Sequence, residues 1–234
     1  MAKVFIGVGH GGSDPGAVAN GQKEKDLNLA ISLACRDELA RHGVTVGMSR
    51  TNDENDPLAD EIKECNAFAP DYAVEIHNNA GGGDGVEIYH HFGGGKGKTL
   101  AQNILNEIVT IGQNSRGLKT KKNSSGKDYF GWIRQTVAPA CLVECAFMDN
   151  ETDIAIIDTA AEQKQMGVAI AKGVLKTLGI GWIAPKPEPA VKPAPDDTKA
   201  KKLYRVQVGA YSDPKNAEAM LNKLKAAGFD GIII

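Results

Sequence analysis

Apolar residues along this chain come in short bursts set between polar and glycine-rich stretches. VFIGV (4–8), VTVGM (44–48), DYAVEIH (71–77), GVEIYHH (85–91) and PACLVECAF (139–147) each have the length of a buried strand. Between them the period changes. Residues 25–41 carry Leu27, Ile31, Cys35 and Leu39 at helical spacing, with Arg36 and Asp37 on the other side. His42-Gly43 ends that helix. PLADEIKECNAF (57–68) opens on a proline, which suits a first helical turn. KTLAQNILNEIVTI (98–111) turns Leu100, Ile104, Ile108 and Ile111 inward, and 160–178 makes a closing helix. Strands that alternate with helices predict an α/β fold, a central and mostly parallel sheet with helices on both faces.

The pattern stops at residues 184–200, APKPEPAVKPAPDDTKA, where five of 17 residues are proline. Such a segment buries no core and tends to polyproline II, so it reads as a semi-rigid linker between a domain at 1–183 and a module at 201–234. In that module LYRVQVGAY, SDPKNAEAMLNKLKAAGF and DGIII predict strand, helix and strand. Ala217, Met220, Leu221, Leu224 and Ala227 form the apolar stripe of the helix, which starts at Asp213-Pro214 and ends at Gly228.

Composition narrows the picture. The 234 residues are 42% hydrophobic and 24% charged, with a net charge of −2, an ordinary globular balance. From Lys186 onward there are nine basic and six acidic residues, against 18 and 23 before it. Neither part has the concentrated basic patch that nucleic acid requires. No window approaches 18 unbroken apolar residues, so no membrane insertion is expected. The first residues lack a secretory pattern, which implies synthesis in the cytosol and action elsewhere only after release. Cys35, Cys65, Cys141 and Cys145 sit in apolar company without paired spacing and read as reduced, buried thiols.

Candidate chemistry lies where strands end. In open α/β sheets, ligands gather at the carboxyl ends of the strands. His10 follows the first strand and His77 ends the third, so both share a rim if those strands are parallel neighbours. Glu24 opens the first long helix after a glycine-rich loop and belongs to the same rim. Two histidines and a carboxylate are a zinc set with one position left for water. Spacing alone does not separate His10 and His77 from His42, His90 and His91. Glu144 lies inside the apolar run LVECAF, where a carboxylate is expensive unless paired or functional. It is either a general base of raised pKa or a residue alternating outward from a half-buried strand.

Together these pieces resemble the zinc-dependent N-acetylmuramoyl-L-alanine amidases of the Amidase_3 family, found in phage endolysins and bacterial autolysins. The likeness runs over roughly residues 3–179. GHGGSDPGA resembles the first zinc motif, with His10 as a ligand. KEKDLNLA resembles the second, with Glu24 as a ligand and Asn28 as its helix neighbour. EIHNNA supplies His77 as the third ligand, followed by Asn79 as a substrate contact. GVEIYHH resembles the Gly-x-Glu strand at Gly85 and Glu87, and PACLVECAFMDN places Glu144 as the catalytic glutamate. This chain departs from the family at Glu75, where serine is frequent, at Glu61, where arginine is usual, and at Ala146, commonly glycine.

The resemblance implies zinc-assisted hydrolysis of the amide between N-acetylmuramic acid and L-alanine in peptidoglycan. The alternatives are a peptidoglycan-binding protein of weak catalysis and a zinc peptidase acting on stem peptides. NSSGKDYFGWIRQT (123–136) is expected to line the groove, with Tyr129, Trp132 and Arg134 as contacts. The tail resembles the first half of a SPOR domain, a peptidoglycan-binding module of two βαβ halves. A lone half with an apolar edge strand is expected to pair with a second chain, giving a homodimer.

Overall fold

The computed structural model describes residues 1–185 and 214–228. The chain divides into two units, Met1–Ala184 and Pro185–Ile234.

The first unit is built on a six-stranded sheet. Its strands are β1 (Lys3–Val8), β4 (Thr45–Met48), β5 (Tyr72–Asn79), β6 (Val86–His90), β7 (Ser115–Lys119) and β8 (Ala140–Phe147). They lie in the order β4-β1-β5-β8-β6-β7. Strands β4, β1, β5 and β8 are mutually parallel. Strand β6 pairs antiparallel with β8 and parallel with β7, so the last two strands run against the other four. The expected mostly parallel sheet is therefore present, with two reversed strands at one side. A small hairpin, β2 (Val18–Ala19) with β3 (Gln22–Lys23), sits in the glycine-rich loop.

Helices α1 (Glu24–Arg41), α3 (Lys96–Val109) and α6 (Ala160–Leu178) cover one face. Alternate strand residues such as Ile6, Val74, Ile76 and Val143 meet Ile31, Ile104 and Ile170 there. Helix α6 has clean ends. Thr159 and Glu162 form a capping box, and Gly179 closes the helix in the left-handed conformation. Helices α2 (Leu58–Phe68) and α4 (Gly131–Gln135) cover the other face with Phe5, Ile62, Ala73, Trp132 and Leu142. This second layer is thinner, and the odd-numbered β5 residues Ala73, Glu75 and His77 share its face. A short α5 (Glu151–Ile154) follows β8. All four cysteines are free and buried. No helix among the described residues is long and apolar enough to cross a membrane.

In the second unit, α7 (Pro214–Ala226) is described, with Ala217, Met220, Leu221 and Leu224 as its least exposed stripe. The linker after Pro185, both expected tail strands and the expected dimer contact lie outside the described residues.

Candidate active site

The site forms where β1 and β5 end side by side. The Gly9 N–H donates to Ile76 O at 3.1 Å, which carries the pairing one residue past β1. His10 then takes φ 63°, a left-handed conformation that a non-glycine residue adopts only when its surroundings impose it. The imposition is visible. Arg50 is buried, and its guanidinium donates to the carbonyls of Val8 (3.2 Å), Gly9 (3.3 Å) and Lys25 (2.8 Å). The Lys25 ammonium donates to Gly12 O at 2.8 Å and to Asp53 at 2.7 Å. Two glycines make room. A Cβ at Gly9 would overlap the His77 ring, and one at Gly16 would stand 2.5 Å from Glu24 Oε2 and 2.6 Å from His10 Cδ2.

Glu24 is the first residue of α1 and is 4% exposed. Its carboxylate accepts from the backbone N–H groups of Ala17 (2.9 Å) and Asn78 (3.2 Å) and from Asn28 Nδ2 (3.3 Å). His77 Nδ1 lies 2.9 Å from Oε1 and His10 Nε2 lies 3.1 Å from Oε2. Burial pushes this carboxyl up, but the two histidines outweigh burial and hold it far below the usual carboxylate range. The other nitrogen of His10, Nδ1, is 2.8 Å from Asp14 Oδ2, which fixes the ring. The rings of His10 and His77 meet edge-on with centroids 5.0 Å apart. One donor atom from each of His10, Glu24 and His77 lies within 4.8 Å of the others, so the three could hold a metal ion.

Glu144 stands beside His77 as its register partner on β8. Its Oε2 is buried with no hydrogen-bond partner. Burial pushes its carboxyl up to about 7, against the pull of His77 and with the repulsion of Glu24, Glu75 and Glu87. A cleft of about 670 Å³ opens next to these groups, with Phe130 and Gly131 on one wall and Trp132 at its base. The arrangement joins a three-donor pocket to a proton-accepting carboxyl at the edge of a groove.

The other expected contacts fall differently. The Asn79 side chain accepts from the Ala80 N–H at 2.8 Å, and Asn79 is not among the residues that line the cleft. Tyr129 is half exposed outside the cleft, under the Lys121 ammonium and edge-on to Phe130. Trp132 is fully buried and donates from Nε1 to Cys141 O at 3.2 Å, so it forms the base of the cleft from the core side. Arg134 spends Nη1 on the carbonyls of Asp128 (2.6 Å) and Tyr129 (2.9 Å), closing its own loop. His42 lies against Glu38 O and the Ile183 N–H, His90 against His91 O, and His91 against Asp128.

Several supporting residues carry no mark in the sequence reading. Asp14 has a local signal, a carboxylate four residues after His10 inside the same turn. Arg50 has none, because its carbonyl partners come from three distant positions. Asp149 accepts from the Gly81 and Gly82 N–H groups at 2.8 Å each and shapes the loop after β5. Asp153 accepts from Gly85 and Phe147 at 2.7 Å each and ties that loop to β8.

Comparison with known proteins gives the family and the fold. A family model described as N-acetylmuramoyl-L-alanine amidase, Amidase_3, matches residues 4–176, and a SPOR domain model matches residues 174–234. The chain is 33% identical over 238 residues to the N-acetylmuramoyl-L-alanine amidase CwlM of Bacillus licheniformis, covering all of this chain and 85% of that protein. It is 33% identical over 204 residues to the endolysin of Bacillus phage SPP1, covering 84% of this chain and 74% of that one. Among solved structures, Cwp6 from Clostridium difficile shares 39% identity at a TM-score of 0.74 over 76% of this chain and 29% of that chain. The amidase AmiC2 of Nostoc punctiforme shares 30% identity at a TM-score of 0.69 over 76% and 97%.

Proposed function

The chain belongs to the Amidase_3 family of N-acetylmuramoyl-L-alanine amidases, and from that premise we propose how this molecule works. It is a peptidoglycan hydrolase that cleaves the amide between N-acetylmuramic acid and the L-alanine of the stem peptide. His10, Glu24 and His77 would hold one zinc ion. Two imidazoles and a carboxylate that leave a position for water are the donor set zinc takes at catalytic sites, softer than the all-oxygen sets of calcium or magnesium. When bound, the zinc supplies Lewis acidity that acidifies water and polarises a carbonyl oxygen.

The chain's own residues do the rest. Asp14 orients His10 through Nδ1, which leaves Nε2 for the metal side. Glu144 takes the proton of the attacking water and returns it to the departing L-alanine nitrogen. Its free Oε2 has no competing donor, and its burial favours a carboxyl that changes protonation near neutral pH. The SPOR-matching segment adds a second hold on the wall, and pairing of that segment between two chains would raise avidity. Light scattering on the full chain and on a chain ending at Ile183 is expected to show a dimer that becomes a monomer.

One observation carries the catalytic reading: three converging donors, of which His10 and His77 line the cleft, stand beside the unpartnered carboxyl oxygen of Glu144. Incubation of purified cell walls with the protein tests it. New L-alanine amino termini are expected, and a chelator is expected to abolish their release. Other amino termini would make the protein a peptidase, and no new ends would leave a binding protein.

A further inference from the structure

The catalytic groups occupy only the upper part of the cleft. One layer deeper, Gly7 of β1, Glu75 of β5 and Leu142 of β8 lie in register across the same sheet face. Glu61 reaches over this layer from α2, and a Cβ at Gly7 would overlap its Oε1. Glu61 is 3% exposed, lines the cleft and leaves Oε1 without a hydrogen-bond partner. Asp56, on the cleft wall nearby, leaves its buried Oδ2 unpartnered as well. Asp14 and Glu144 have work in the reaction and Glu75 lies 3.7 Å from His77 Nε2, whereas Asp56 and Glu61 have no such part. Among the described residues no lysine or arginine lines the cleft; the buried Arg50 acts on Asp56 and Glu61 from outside it, but gives its donors to the carbonyls of Val8, Gly9, Lys25 and Asn52. Glu87, on the same sheet face outside the cleft, shows the usual remedy: Arg116 sits 2.6 Å away.

A buried carboxylate without a counter-charge is costly, so a site that keeps one open awaits a cation. A bare metal ion does not fit. Among the described residues, His10, Glu24 and His77 are the group whose donors converge within 4.8 Å, and Asp56, Glu61 and Glu75 do not. An ammonium carries three divergent donors and suits a wider set. Leu58, Leu142, Phe130 and Trp132 supply apolar walls for an alkyl stem.

We propose that this lower pocket binds the free side-chain ammonium of a diamino acid in the stem peptide, which makes the enzyme selective for stems in which that amine is not acylated. The proposal rests on the amidase reading. Gly7 lies two residue steps below Gly9, roughly 7 Å, so the pocket lies too deep for the amine of the bond being cut and within reach of a side chain further along the peptide.

The test uses the zinc-loaded full chain and two soluble muramoyl peptides, identical except that the diamino acid's side-chain amine is free in one and N-acetylated in the other. From release of L-alanine amino termini, kcat/KM is expected to favour the free amine by on the order of tenfold, the scale of one charged hydrogen bond. Glu61→Gln is expected to bring the ratio to about twofold or less, and Asp56→Asn to lower it by a smaller factor. Equal kcat/KM on the two substrates in the wild type overturns the proposal. A ratio unchanged in both variants overturns its assignment to this pocket. Cleavage of neither substrate overturns the amidase reading instead. Calorimetry with the two free stem peptides then decides the pocket: binding of the free-amine form alone supports it, and equal binding overturns it.

Discussion

Glu24 and Glu61 are both buried glutamates on the wall of one site, yet they lie at opposite extremes. Glu24 has a partner in every direction: two backbone N–H groups, an asparagine amide and two histidines. Glu61 has a buried oxygen with no partner and acidic neighbours in Glu75 and Asp56. Burial pushes both carboxyls up. At Glu24 the histidines reverse that push, and at Glu61 the neighbouring carboxylates reinforce it. Burial therefore does not decide what a carboxylate does; the count and sign of its partners do. The saturated half suits a fixed ligand, and the unsaturated half suits groups that exchange a proton or receive a cation.

Breaking the saturated half should have the largest effect. His77→Ala is expected to remove nearly all zinc at equimolar metal and to abolish activity, as metal analysis and L-alanine release will measure. Full zinc occupancy in that variant would mean that the ligand set is wrong. Arg50→Met acts one step further out. It removes the guanidinium bonds to the carbonyls of Val8, Gly9, Lys25 and Asn52, of which Gly9 keeps Asn28 Nδ2, and a loss of about 2–4 kcal/mol is expected in urea unfolding. An unchanged midpoint would show that the loop holds His10 without that arginine.

The smallest effect has the opposite sign. Glu61 is protonated more readily in the folded chain than in the unfolded one. Its folded pKa lies above the unfolded value of 4.5, so wild-type stability is complete below pH 4.5 and falls as pH rises above it. Glu61→Gln escapes that fall. In ligand-free protein it is expected to be close to wild type at pH 4 and more stable at pH 7, by about 1–3 kcal/mol. A difference that is independent of pH would mean that Glu61 ionises in the fold without penalty.

The layered α/β core was legible because its periods are strong. Leu27, Ile31, Cys35 and Leu39 lie buried along α1 as their spacing requires. The rim set was legible only in part: strand ends and helix starts can be located from punctuation, and His10, Glu24 and His77 stand at such places, but spacing did not separate these histidines from His42, His90 and His91, and the resemblance to the Amidase_3 motifs did. Strand β7, Ser115–Lys119, escaped because its sequence, SRGLK, has little apolar content and gains its place through pairing with β6. The reversed course of β6 is likewise a property of its partner, not of GVEIYHH. In the 123–136 loop, residue type alone does not place the side chains. Arg134 and Trp132 look alike as candidate contacts, but Arg134 holds its own loop, whereas Trp132 packs into the core and also lines the cleft. Glu61 and Glu75 were visible as departures from the family pattern. Their meeting over Gly7 depends on sheet register and helix placement, which no local spacing encodes.

The central claim is a division of labour between a saturated and an unsaturated carboxylate, and two nearly isosteric variants test it side by side. Zinc content and L-alanine release are measured for Glu24→Gln and Glu144→Gln against the wild type. The account predicts that Glu24→Gln loses both, whereas Glu144→Gln keeps one zinc per chain and loses activity on the order of 10²-fold or more. A Glu144→Gln protein of full activity, or a Glu24→Gln protein that retains both zinc and activity, would contradict it.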